Sequence, residues 1–84
     1  MQLNDQLRRY FGTTDVEALP RQALLAGMEK MRVDLGLEKD RGRRFALWSL
    51  LFLLGDAPDL AATFEDPADR DAARDFMDLA DKGE

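Results

Sequence analysis

The chain has no cysteine and no histidine. Without cysteine there is no disulfide and no thiolate metal site. Without histidine, the commonest general base and the commonest metal ligand are missing together. The two absences remove the usual ligands of structural zinc. They also exclude a Ser-His-acid triad, although one serine, Ser49, is present. No glycine-rich phosphate loop occurs, since Arg41-Gly42-Arg43 contains a single glycine. No Asp-x-Asp-x-Asp-Gly calcium loop occurs either.

Long apolar runs are also missing. The longest, Phe45 to Leu54, is interrupted only by Ser49. As a helix it would reach ~15 Å, and a membrane span needs about 20 apolar residues. Residues 1–10 have no apolar core and no small-residue cleavage site, so no secretory signal is read there. The expected setting is the cytoplasm, whose reducing conditions suit a cysteine-free chain. The Ala-, Arg- and Asp-rich composition fits a bacterial protein.

What is present is helical. With 84 residues the chain is one domain, 1–84, of a size that leaves a thin margin of stability. Leu3, Leu7, Tyr10 and Phe11 form one helical face, which Gly12 stops. Thr14 and Glu17 have the spacing of a capping box, but Pro20 limits that start to a short turn at about 15–18. A second helix opens at Pro20, buries Leu24, Met28, Met31 and Leu35, and ends at Gly36. The apolar helix follows at about 41–54, capped by Asp40 and stopped by Gly55. A short helix is expected from Asp56 or Ala57 with Pro58 in its first turn. Asp66-Pro67 then starts a last one, with Ala68, Ala72, Phe76, Leu79 and Ala80 inside. On its outside, Asp66, Arg70, Arg74, Asp78 and Lys82 follow one another at i+4, a row of opposite-charge pairs. The fold expected is all-α, a compact bundle of four to five short helices around a central apolar helix.

Charge is unevenly spread. The net value is −5, but residues 1–55 carry nine Lys/Arg against seven Asp/Glu, and residues 56–84 carry three against ten. The basic run 39–44 therefore has two readings: an anion site, or arginines paired with the acidic C-terminal helix. The second has ample acids within the chain. Overall acidity argues against general nucleic-acid binding.

A helix apolar all round must be covered on every side. In so small a chain either the other helices cover it or a second chain shares it. Trp48 and Phe52 are i, i+4 neighbours, so a shared side would present them with Leu51. Arg41, Arg43 and Arg44 would orient the contact. A helix-turn-helix is disfavoured, because the helix after Gly36 is too apolar to face DNA. A carrier-protein reading is also disfavoured, since Ser49 lies mid-helix; it is expected to bond back to a carbonyl one turn earlier. The functional expectation is a small non-enzymatic interaction or accessory protein, without cofactor, metal or evident small ligand. It would self-associate as a homodimer or bind a partner protein through residues 45–54. The alternative is a nucleic-acid-linked regulator that uses the run 39–44, or an acidic decoy surface on 66–81.

Overall fold

The computed structural model describes residues 3–82. Five α-helices and one 3-10 turn follow in order: α1 (Leu3–Phe11), the turn (Val16–Ala18), α2 (Arg21–Leu37), α3 (Arg41–Leu53), α4 (Leu60–Thr63) and α5 (Pro67–Lys82). The described residues include no strand, and the all-α bundle is as expected. The last three residues, Lys82 to Glu84, are expected to fray as a chain end; Lys82 closes α5, and Gly83 and Glu84 lie outside the described residues. No helix among the described residues is long and apolar enough to cross a membrane.

The helix ends have identifiable causes. α1 stops where Gly12 turns to positive φ and its N–H donates to the Arg8 carbonyl. Asp40 caps α3, its Oδ2 accepting from Arg43 N–H at 2.9 Å. α3 closes in a Schellman motif: Gly55, at φ 86°, donates to the Phe52 carbonyl, and Asp56 donates to that of Leu51. Asp66 Oδ1 accepts from Ala68 N–H at the start of α5.

Four local expectations are corrected. The capping box at Thr14 and Glu17 is not formed; Thr13 Oγ1 accepts from Asp15 N–H instead. Gly36 does not end α2, which needs no left-handed residue because it leaves through extended Glu38. α4 begins at Leu60, after Pro58, with Asp59 at its N-cap. The inner face of α5 is rotated: Ala73 is fully buried, with Phe76 and Met77 against the core, while Ala68, Ala72 and Leu79 are exposed. Phe76, shared by both faces, packs on the rings of Phe45, Trp48 and Phe52, and Ala73 is the residue one turn earlier that this brings inside.

α3 packs against α1, α2 and α5, and α4 against α5. The molecule measures 36 × 32 × 21 Å, a slab about two helix diameters thick. The core joins Met28, Met31 and Leu35 of α2 to Leu47, Trp48, Leu50 and Leu51 of α3, with Phe64 and Ala73 closing it. Leu7, Tyr10 and Phe11 of α1 pack on its edge. The side chain of Leu3 lies outside the described residues.

α1 and α2 meet at Gly27. A Cβ there would collide with the Phe11 ring and stand 3.0 Å from the Tyr10 carbonyl oxygen, whereas one at Gly36 would meet nothing. Glycine to alanine in an open helix gains roughly 0.5–1 kcal/mol. Urea titration should show that gain for Gly36→Ala and a loss for Gly27→Ala, since only the second forces α1 off α2.

Candidate functional site

Trp48 and Leu51, expected on a shared surface, lie inside the single chain, 1% and 0% exposed. This corrects the placement: neither residue is accessible without opening the bundle. The cause is aromatic. Trp48 stacks on Phe52 (5.6 Å between centroids) and meets Phe64 and Phe76 edge-on at 5.8 and 6.3 Å. Phe45 completes the group. Five of the seven aromatic residues are thus gathered on one side of α3. The indole N–H donates to the Pro58 carbonyl at 2.9 Å, so the polar edge of Trp48 is satisfied indoors. Phe52 is half-buried, with its flank at the surface.

The basic run divides three ways. Arg44 turns inward and donates to the carbonyls of Leu35 (2.8 Å), Glu38 (2.9 Å) and Thr63. These carbonyls belong to the C-terminal ends of α2 and α4, where helices leave acceptors unpaired and a cation is favoured. Arg41 makes a bidentate bond to Asp69, both distances 3.0 Å, and reaches Asp66 at 3.2 Å. The hydrogen bond from Arg41 holds the Asp69 carboxyl below its usual range, and that to Asp69 raises the Arg41 guanidinium further. Arg43 stays mostly exposed, 3.6 Å from Glu38. Arg41 therefore pairs with the acidic C-terminal helix within one chain, and Arg44 serves as a staple between helix ends.

The i+4 charge row expected on α5 does not form. Arg70 turns to the carbonyls of Phe64 (2.6 Å) and Ala61, and Arg74 reaches back to Asp71 at 3.2 Å. The carbonyls at the end of α4 lack helix partners, and the part-buried bond Arg70 makes there competes less with water than an exposed ion pair would. Ser49 Oγ, expected to bond backward along α3, is buried without a hydrogen-bond partner among the described residues.

The surface also has concavities. One, of about 250 Å3, is lined by Gln6, Arg9, Tyr10, Asp34, Leu37, Glu38, Arg43 and Leu47. In it Tyr10 Oη donates to Asp34 at 2.6 Å, while Arg9 lies over the Tyr10 ring. Burial, then the bond to Asp34 and its charge, push the Tyr10 hydroxyl up to about 12. A second, of about 680 Å3, lies between the α2–α3 turn and the α4–α5 turn, over Arg41 and Arg44. A third is shallow, beside Gly42 and Phe45. Among the described residues no acidic cluster has the geometry to hold a metal ion.

The exposed large apolar residues are elsewhere: Leu25, Val33 and Leu37 on α2, Leu53 at the end of α3, and Leu79 on α5. Sequence reasoning passed over Val33 and Leu37, on the same helix as the core row. Their signal was present, because the apolar residues of α2 run on from Leu25, beside the core row, to Val33 and Leu37 on the far side of the helix. Compared with family models, curated proteins and solved structures, the chain matches none.

Two outcomes follow. Arg44→Met should lower stability by about 2 kcal/mol in urea titration, since charge-assisted bonds to three carbonyls are lost, and Arg43→Ala should leave it nearly unchanged. The single tyrosine should ionise near pH 12, followed by its ultraviolet absorbance, and Asp34→Asn should move it down. Because the folded value is raised, this group favours folding below pH 10 and its contribution is lost as pH rises towards 12.

Proposed function

We propose that this chain is a small non-enzymatic interaction protein that docks a protein surface on the outer face of α2. The observation that carries the reading is the row Leu25, Glu29, Val33, Leu37, at strict i+4 spacing. Its three apolar members are 48%, 56% and 74% exposed. A bundle helix needs one apolar stripe to fold, and α2 already supplies it through Met28, Met31 and Leu35. The second row is only partly covered by the single chain. Scattered exposed leucines are ordinary, but an aligned row on one helix is the pattern of a contact surface.

Arg43 stands at the end of this row, lining the same concavity as Leu37. It is the arginine of the basic run best placed to meet a partner. The flank of Phe52 lies on another helix and is not required. Protein is favoured over nucleic acid as the partner because Arg41 and Arg44, which phosphate binding would need, are engaged inside the chain. Catalysis is not part of the proposal: the chain offers no histidine or cysteine, and Tyr10 and Asp34 hold each other.

A photo-crosslinking residue placed at position 33 in the native host should give protein adducts, and one placed at the exposed position 75 of α5 should not. Equal labelling from both positions, or none from position 33, overturns the reading.

A further inference from the structure

We infer that the occupant of the α2 face is a second copy of this chain, joined across α2 in antiparallel register. The inference rests on the reading of α2 as the contact surface and names its partner.

The fold is more open than that of a compact chain of its size. The chain exposes 5790 Å2, while a compact monomer of its 9.5 kDa exposes roughly 5,000 Å2 by the usual scaling. The radius of gyration agrees, 12.7 Å against roughly 11.8 Å for a compact chain of this length.

The sequence of the face points to self-pairing. With the two helices crossed so that their i+4 rows run along each other, a two-fold axis at the level of Met31 sets Leu25 of one chain opposite Leu37 of the other, twice over. Leu25 and Leu37 are twelve residues apart, ~18 Å along the helix, so they form two separate ends of one contact. Between them Val33 covers the stem of the other copy's Glu29. The same axis sets Glu29 within one residue's rise of Arg32 on the same flank of the other copy. An isologous contact requires such reciprocity: each residue meets its partner once from either side. Arg32 already pairs with Asp56, so the carboxylate of Glu29 would join an existing ion pair and would need no new charge in the interface.

The test is solution mass by light scattering after size exclusion, from low to high micromolar protein. Wild type should have the mass of two chains. Val33→Asp should weaken the dimer roughly 100-fold while leaving far-ultraviolet circular dichroism unchanged. Glu29→Arg and Arg32→Glu should each weaken it alone, and mixing the two variants should restore a mass of two chains. A wild-type monomer at every concentration overturns the self-pairing. So does a dimer that Val33→Asp leaves intact, or a mixture of the two charge variants that stays monomeric. A monomer that still crosslinks from position 33 to a different protein overturns only the identity of the partner. A chain that gives no crosslink there overturns the interaction reading as well.

Discussion

The indole of Trp48 is where the C-terminal half of this molecule is held to the rest. Phe45 and Phe52 flank it on α3, Phe64 comes from the end of α4 and Phe76 from α5. α4 is a single turn and α5 is largely polar, so neither has an apolar stripe broad enough to dock without those rings. The indole N–H fixes the α3–α4 connection through the Pro58 carbonyl. Burying an aromatic residue removes on the order of 150–250 Å2 from water, and offset or edge-on ring pairs add to that. In a chain of this size that is a large share of what holds it folded.

Arginine does the complementary work at the polar ends of the helices. Arg44 meets the carbonyls that close α2 and α4, and Arg70 meets those around the end of α4. Each removes acceptors that water would otherwise have to reach in a crowded corner. The acidic balance of the C-terminal half is partly absorbed in the same region, since Arg41 lies against Asp66 and Asp69. The asymmetry of charge along the chain is therefore in part a folding device, bringing the start of α3 onto the start of α5.

The helices were legible because their punctuation is strong. Gly12, Asp40, Gly55 and Asp66-Pro67 mark ends that the backbone obeys, and the period of Met28, Met31 and Leu35 places the inner face of α2. The side chosen by α5 was less legible, since alanines line much of that helix and only packing against the rings of α3 selects Ala73. The fate of Trp48 was legible only as two alternatives, cover by the other helices or by a second chain. Periodicity places it on α3, but whether Phe64 and Phe76 arrive to cover it depends on long-range packing. The charge row on α5 misled because spacing shows which residues are neighbours and not which acceptor is better. The α2 face was hidden by its own core row, since a second apolar row winding round the helix blurs the period of the first.

Tyr10 and Trp48 each occur once in the sequence, and the fold separates them. Tyr10 sits at the seam of α1 with α2 through its bond to Asp34, and Trp48 under α4 and α5. The chain thus carries two unlabelled optical probes on its two dockable segments. Absorbance of the phenol reports the N-terminal helix, and emission of the indole reports the C-terminal pair. Whether the two ends come loose together or one after the other is readable from a single unmodified sample.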